Sequence, residues 1–360
     1  MVDVVLTLDY EIFGNGAGDV RRDVIEPTNR ILDMCDKYGA KLTIMFEVGE
    51  YWAFQQYDSQ LQKDLGYSPC NQMKGQVLDA IKRGHDVQLH LHPQWIDAKY
   101  DKGRWELNNL CWRLADLPGG LGTREQINSI TGVLYRGKQS LEQMLTTIKA
   151  DYECVCFRAG GFYAQPSKNI IAAMKKAGIR SDSSVVKGYK STEPFKVDYS
   201  QVDVDRDCWW TTSTELTMAG ERGENVLELP VSSKLEPYWK NFKITKLRAT
   251  LKRRAIENAS CDEQGINTDI RSVPKLKTVL RKLFKKHAST FDFCKLSNKD
   301  MLTRIRKYAQ FSEQTVVLIG HSKDFFNDHN FDTFLKKMRL NSKVRFNTFF
   351  ECVDSKINEN

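Results

Sequence analysis

The first half of the chain alternates between short, β-rich apolar runs and longer segments with helical spacing. The apolar runs cover residues 2–10 (VDVVLTLDY), 40–49 (AKLTIMFEVG) and 85–92 (HDVQLHLH). The segments between them, at residues 23–39 and 74–84, repeat apolar residues at helical intervals and end at a glycine. Repeated strand–helix–strand units predict a parallel sheet with crossover helices.

The same rhythm resumes after a stretch rich in Trp, Asn and Gly at residues 100–123. The pattern predicts helices over 124–145, 166–178 and 331–340, and strands over 152–162, 225–233 and 315–325, with a last strand or strand–helix at 344–353. We therefore predict a single domain over residues 1–360, folded as a deformed (β/α) barrel with about seven parallel strands.

Charge is concentrated in one segment that interrupts this rhythm. Residues 240–286 contain 14 Lys/Arg against four acidic residues, whereas the whole chain has a net charge of +8. Its apolar spacing predicts a basic helical hairpin inserted at residues 234–290. Three interpretations stay open: a solvated helix face, attraction to an anionic membrane surface, or attraction to a phosphate-linked sugar. No sequence motif for nucleic-acid recognition accompanies these basic residues, so nucleic acid is not expected as a partner.

Composition narrows the class of protein further. Of the 360 residues, 41% are hydrophobic, and no apolar run approaches the roughly 20 residues of a membrane span. The first residues lack the features of an export signal, and the nine cysteines include no CxxC pair. We expect a cytoplasmic protein with reduced thiols.

Polar side chains gather where the predicted strands end. In parallel α/β folds the carboxyl ends of the strands carry the active site. Six polar residues from four strands lie at such ends: Asp9, Glu11, His90, His92, Arg158 and His321.

The histidines are the most informative of these residues, because the chain has only six. His90 and His92 stand two apart in a strand and therefore share a face. Two imidazoles and a carboxylate form a common catalytic zinc set, to which a second carboxylate adds a base and a third histidine adds an acid. His85 lies at the opposite end of the same strand, where we expect a structural hydrogen bond.

Five motifs, in order, resemble those of the polysaccharide deacetylase family, also called the NodB-homology or carbohydrate esterase 4 group. They stand here as LTLDYE, KLTIMFEVG, GHDVQLHLHP, FRAGGF and VLIGH. The histidine pair is two apart instead of four, Gln94 stands where the second histidine falls by strict counting, and the usual aspartate pair is Asp9-Tyr10-Glu11. This is similar to a divergent branch with LDxE and HLHP motifs.

The resemblance implies a NodB-like barrel of the glycoside hydrolase/deacetylase superfamily and a role for each matching residue. It implies that Asp9 is the catalytic base, Arg158 orients that base and His321 is the acid. His90 and His92 become ligands of a divalent metal, most readily Zn²⁺, and Glu11 becomes the third ligand if the chain bends to bring it in. An exchange of roles between Asp9 and Glu11 stays open.

These roles imply a metal-dependent hydrolase that removes an N-acetyl (or O-acetyl) group from a sugar or a surface-polysaccharide precursor. The precursor would be nucleotide- or lipid-linked, and the enzyme cytoplasmic or peripheral at the inner membrane. Trp52, Trp95 and Phe162 are expected to contact the sugar, although aromatic residues there could equally cover the barrel mouth. Two alternatives remain: another metal-dependent C–N (amide) hydrolase, and a carbohydrate-binding barrel without turnover. Sequence does not indicate the oligomeric state.

Overall fold

The computed structural model describes residues 1–192, 195–203, 205–237, 286–310 and 314–358. The strands in these ranges are β1 (Val2–Tyr10), β2 (Leu42–Glu47), β3 (Asp86–Leu91), β4 (Lys99–Asp101), β5 (Arg104–Glu106), β6 (Cys156–Ala159), β7 (Ser181–Asp182), β8 (Lys190–Ser191), β9 (Val197–Asp198), β10 (Trp209–Trp210), β11 (Leu227–Glu228), β12 (Ser233–Pro237), β13 (Lys286–Thr290), β14 (Gln314–His321) and β15 (Val344–Phe346). The α-helices are α1 (Glu26–Tyr38), α2 (Val48–Gln56), α3 (Asp58–Leu65), α4 (Pro69–Lys82), α5 (Ile130–Leu145), α6 (Lys168–Ala177), α7 (Asn298–Tyr308), α8 (Asp328–Arg339) and α9 (Phe349–Asn358).

One curved sheet forms the centre of the molecule. Its strands run in the order β10-β11-β7-β6-β3-β2-β1-β14, with β15 beside the first residues of β1. All of these pairings are parallel except that of β10 with β11. Val231, three residues after β11, bridges both Val186 and Val317, so the chain that follows β11 closes the curved sheet against β14. The predicted deformed barrel is confirmed.

The strands in the middle of the sheet are buried on both faces, which explains their nearly continuous apolar sequences. Every residue of β2 and β3 is buried, and β1 is buried at all positions except Asp3. Helices cover the outer face, and α1 and α5 turn buried apolar residues toward it. Charged side chains such as Asp9 and His90 are buried near the carboxyl ends of these strands.

Helix boundaries follow the local capping chemistry. The helix predicted over 23–39 ends as expected at Gly39, whose φ of 68° is the left-handed conformation that glycine adopts without strain. The helix predicted over 124–145 is wrong at its start, because α5 begins only at Ile130. The hydroxyl of Ser129 accepts a hydrogen bond from the N–H of Gly132 and caps the helix there.

The predicted insertion at residues 234–290 begins and ends as strands. Within the described part, β12 and β13 pair in antiparallel fashion, with Pro237 opposite Lys286. Phe291 then donates its N–H to Ser232 O, and Ile319 donates to Phe291 O, which returns the chain to the barrel beside β14. The predicted helical hairpin itself falls at residues 238–285, outside the described residues.

A helix that spans a membrane must be long and apolar. In the part of the chain that the structure describes, none of the helices has both the length and the apolar character that a crossing requires. The longest of them, α5, has 16 residues.

His85 braces the end of the barrel opposite to the strand ends that carry the candidate site. Its Nδ1 accepts a hydrogen bond from the N–H of Leu42 at 3.1 Å, so its Nε2–H donates to Asp36 Oδ1 at 2.9 Å. The predicted structural hydrogen bond is confirmed. Burial, opposed by the nearby Asp36 carboxylate, lowers the pKa of His85 to about 4.

We predict that His85 makes the fold sensitive to mild acid. Because its folded pKa lies below its ordinary value of 6.5, its contribution is complete above pH 6.5 and is lost as the pH falls to about 4. The full loss is on the order of 3 kcal/mol. Urea unfolding between pH 7 and 4 should show a shallower decline for His85→Asn than for the wild type; parallel curves would contradict the assignment.

Candidate metal centre

The register of the parallel sheet brings the predicted polar residues to one end of the barrel. Asp9 of β1 pairs with His321 of β14. On the other side of β1, Glu47 of β2 pairs with His90 of β3, and His90 pairs with Arg158 of β6. The ends of five adjacent strands therefore supply one group of side chains, where the sequence predicted four strands and did not include β2.

Four of these side chains could hold a metal ion together. Glu11, Glu47, His90 and His92 each offer one ligand atom, and these atoms all lie within 4.8 Å of one another. Glu11 Oε2 lies 3.3 Å from His90 Nε2 and 3.1 Å from His92 Nδ1. Glu47 Oε2 lies 2.7 Å from His92 Nδ1. Glu11 joins the cluster because it is the first residue beyond the end of β1.

In His90 and in Glu47, a hydrogen bond to the backbone fixes one polar side-chain atom, and the other polar atom is directed into the cluster. His90 Nδ1 lies 2.9 Å from the carbonyl oxygen of Arg158, a contact that requires a proton on Nδ1. Its Nε2 is directed into the cluster and is buried without a hydrogen-bond partner. Glu47 Oε1 accepts the N–H of Gly49 at 2.9 Å, which leaves Oε2 facing His92.

This arrangement fits a divalent metal. Histidine ligands commonly donate their other ring N–H to a backbone carbonyl, as His90 does. A buried polar atom without a partner is costly, and metal coordination removes that cost for His90 Nε2. Two imidazoles and two carboxylates form a donor set that Zn²⁺ binds in proteins.

Asp9 lies beside the cluster in a separate network with Arg158. Arg158 is fully buried and donates from Nη1 to Asp9 Oδ1 at 2.6 Å and to Thr7 Oγ1 at 3.0 Å. Its Nε and Nη2 donate to the carbonyl and hydroxyl oxygens of Ser183. The guanidinium is thus fixed at both ends, and it holds one oxygen of Asp9 in place.

The other oxygen of Asp9 faces two imidazoles. Oδ2 lies 3.6 Å from His321 Nε2 and 4.0 Å from His90 Nε2. Burial alone would raise the pKa of Asp9, but Arg158 and the two histidines outweigh it and lower that pKa. Burial lowers the pKa of His321, against the opposing effect of Asp9. The carboxylate of Asp9 and the imidazole of His321 therefore lie side by side in one pocket.

The pKa values of two further carboxyl groups, those of Glu11 and Glu50, are shifted in opposite directions. The pKa of Glu11 lies well below its ordinary value, because Lys323 and then His92 outweigh the effect of burial. The pKa of Glu50 is raised well above its ordinary value by burial and by the charges of Glu47 and Glu11. Glu50 lies behind the cluster, where its carboxyl group accepts the N–H of Ile12.

The first glycine of FRAGGF is required by the packing of His92. A Cβ at Gly160 would lie 2.3 Å from His92 Cδ2 and 2.4 Å from its Cγ, far inside van der Waals contact. The backbone after β6 therefore lies against the imidazole ring and leaves no space for a side chain.

The three aromatic residues predicted to contact a sugar lie in different surroundings. Trp95 is only 3% exposed and packs edge-on against Phe54 and Trp105, so it belongs to the core and offers no free ring face. Trp52 lies on α2, where Nε1 donates to Ser140 Oγ and the Arg136 guanidinium covers the ring. This packing favours the alternative in which these aromatic residues cover the barrel mouth, and sugar contact by Trp52 and Trp95 stays a prediction.

Phe162 lies in the loop that follows β6 and is half-buried. It has a φ of 63°, and its ring packs edge-on against Tyr189 at 6.4 Å between centroids. Its position, three residues after Ala159 at the end of β6, keeps it a candidate for sugar contact.

Sequence reasoning missed Glu47 and left Gln94 without a role. Glu47 is a charged residue at the end of a buried strand, which is the signal that identified Asp9 and His321. It was hidden because the apolar run was read as a strand continuing to Gly49, whereas α2 begins at Val48. Gln94 is buried and donates to Gly14 O at 2.7 Å, so it braces the loop after Glu11.

Comparisons with known proteins give only distant structural likenesses. No family model matches the chain. A search of curated proteins also finds no match.

Among solved structures, a provisionally assigned polysaccharide deacetylase from Mycobacterium smegmatis aligns with 12% identity and a TM-score of 0.46, over 98% of this chain and 89% of the other. A 4-alpha-glucanotransferase from Thermococcus litoralis aligns with 11% identity and a TM-score of 0.49, over 98% of this chain and 40% of the other. Both TM-scores are below 0.5, so neither activity transfers to this chain.

We predict that Asp9 and Arg158 are strongly coupled in metal-free protein. Arg158→Met leaves the Asp9 carboxylate buried without its cation, which should reduce the free energy of unfolding by about 3–5 kcal/mol. Asp9→Asn leaves the guanidinium unpaired and should also destabilise. Urea unfolding of both single variants and of the double variant tests this: the double variant should lose clearly less than the sum, and strict additivity would exclude the coupling.

We predict that Gly160→Ala weakens metal binding by about 10- to 100-fold, because the new methyl group displaces the His92 ring. Gly75→Ala is the matched control: Gly75 lies in α4 with open space around its Cα. That change should leave metal binding intact and stabilise the helix by about 1 kcal/mol. Titration against a chelating indicator measures the affinity; equal affinities in the two variants would refute the packing argument.

Proposed function

We propose that this protein is a metal-dependent deacetylase that hydrolyses an N-acetyl group, or an O-acetyl group, on a sugar or glycan precursor. The observation that carries the proposal is the buried, partnerless Nε2 of His90 within a cluster of four metal-binding side chains. The Asp9–Arg158 pair and His321 lie next to this cluster. Such a combination suits acyl transfer to water.

A divalent ion, most readily Zn²⁺, held by Glu11, Glu47, His90 and His92 would polarise the acetyl carbonyl and lower the pKa of a water molecule. Every other task falls to the side chains of this chain. His90 presents Nε2 because Arg158 O holds its Nδ1 proton. His92 presents Nδ1 toward Glu11 and Glu47.

Asp9 is placed to act as the general base. Its lowered pKa keeps it ionised at neutral pH, and Arg158 holds Oδ1 so that only Oδ2 is available to accept a proton. Of the two roles left open by the sequence, the geometry favours base for Asp9 and metal ligand for Glu11, because Glu11 contacts both histidines of the cluster.

His321 is placed to donate a proton to the departing amine or alcohol. Its Nε2 lies 3.6 Å from Asp9 Oδ2, so the proton that Asp9 removes from water has a short route to the imidazole. The net reaction is addition of water across the acyl bond, which yields acetate and the free amine or hydroxyl group.

The proposed substrate is an acetylated sugar, carried on a nucleotide or a lipid, in the biosynthesis of a surface polysaccharide. Phe162, at the end of β6, is the proposed sugar contact. The basic residues 240–286 would draw the protein to an anionic membrane surface or to the carrier phosphate, and a cytoplasmic location, free or at the inner membrane, is consistent with such a substrate.

Two other functions use the same site. A different C–N hydrolase would require the same base and metal and would release no acetate. A carbohydrate-binding barrel would bind sugar without turnover. The fully buried Arg158 fixed on Asp9 favours an enzyme, because binding alone does not require an oriented carboxylate.

We predict about one divalent ion per chain in the wild type and none in the His90→Ala/His92→Ala double variant. Plasma mass spectrometry of purified protein measures this directly. The matched control is His85→Ala, which removes a structural histidine at the opposite end of β3 and should keep its metal. A wild type that stays metal-free after incubation with zinc would overturn the proposed function.

We predict that Asp9→Asn keeps the metal and loses at least about 100-fold in acetate release from N-acetylated sugars, as expected when a general base is removed. The same assay with non-acetyl amides distinguishes the second hydrolase. Sugar binding without any product in the metal-loaded wild type would favour the binding protein.

A further inference from the structure

Lys323 makes a contact with Glu11 that the proposed chemistry does not use. It follows β14 by two residues and lies in a short helical turn, Ser322–Asp324. Its side chain is buried; Nζ lies 2.7 Å from Glu11 Oε1 and donates to Ile12 O at 2.6 Å. The same ammonium group lies 5.6 Å from the centre of the Phe13 ring.

These contacts divide the two oxygens of Glu11 between two partners. Oε1 is taken by Lys323. Oε2 lies 3.3 Å from His90 Nε2 and 3.1 Å from His92 Nδ1. Only Oε2 is therefore available to a metal ion in the cluster.

Glu47 shows the same division with a different donor. The N–H of Gly49 holds Oε1, and Oε2 faces His92. A backbone N–H at the start of α2 is supplied by the helix itself. Glu11 lies in a loop beyond β1, and the side chain of Lys323, from the helical turn after β14, provides the equivalent donor.

We propose that Lys323 is a positioning residue that restricts Glu11 to binding the metal through one oxygen. The inference rests on the proposed metal centre. A carboxylate that is free at both oxygens can chelate a divalent ion and fill a further coordination position. By occupying Oε1, Lys323 would keep Glu11 from blocking the access of water or the acyl oxygen of the substrate to a bound ion.

A purely electrostatic role for Lys323 makes a different prediction. If the residue only balances the charge of Glu11, its removal alters metal affinity and stability but leaves the number of ligand atoms unchanged. Coordination number is therefore the property that separates the two roles, and Co²⁺ reports it through its visible absorption, which weakens as coordination number rises.

The test compares full-length wild type, Lys323→Met and Lys323→Arg, each loaded with Co²⁺, by visible absorption and by competition with a chelating indicator. We expect the absorbance per bound ion to fall below about half in Lys323→Met, because Glu11 then binds through both oxygens. Lys323→Arg, which retains a donor for Oε1, should restore most of the wild-type spectrum.

Lys295→Met is the matched control. Lys295 is a neighbouring lysine that pairs with Asp292 and Asp324, and none of its described ion pairs involves Glu11. Its removal should leave the spectrum unchanged. Should Lys323→Met fail to fold, Lys323→Ala, which also removes the donor to Oε1, is measured in its place.

The possible failures are distinguishable. A wild type that binds no Co²⁺ would overturn both the metal centre and this inference. A wild type that binds Co²⁺, with an equal or stronger spectrum in Lys323→Met, would overturn the role of Lys323 and leave the proposed deacetylase intact.

Discussion

The candidate site depends on the hydrogen-bond register of the parallel sheet. In that register Asp9 stands beside His321, and His90 stands between Glu47 and Arg158. Because successive side chains of a strand point to opposite faces, a slip of one residue in any of these pairs would move a site residue to the outer face. The continuous burial of β2 and β3 makes such a slip costly, so the packing of the core also fixes the chemistry at its end.

Electrostatic compensation is the second constraint on the site. Asp9 and Glu11 are buried carboxylates with lowered pKa values, and each faces a cation from a distant part of the chain: Arg158 from β6 and Lys323 from the helical turn after β14. Charges in the interior persist when they are paired and hydrogen-bonded. Without a metal ion, Asp9 and Glu11 outweigh burial and raise the pKa of His90 to about 9. A divalent ion would take the place of that proton.

Much of the fold was predictable from the sequence. Buried parallel strands appear in it as apolar runs, and glycines mark the ends of helices. The limits of β1 were predicted to the residue, and the barrel followed from the alternation. The site was predictable to the extent that its residues lie at strand ends, as Asp9, His90 and His321 do. Glu47 was not predicted as a site residue, because a continuous apolar run does not show where β2 ends and α2 begins. The surroundings of Trp52 and Trp95 could not be predicted, because the sequence does not show which neighbours pack against a ring: Arg136 covers that of Trp52, and Phe54 and Trp105 pack against that of Trp95.

The paired ribbon of β12 and β13 has a consequence for how this chain can change over time. The barrel closes at the bridge between Val231 and Val317, before the ribbon begins, and Pro237 faces Lys286 where the described ribbon ends. The basic segment thus leaves and rejoins the barrel at a single place. The residues of the candidate site, from Asp9 to Arg158 and at His321, all lie outside this segment of the chain. A substitution within the basic segment therefore alters none of the residues that form the candidate site.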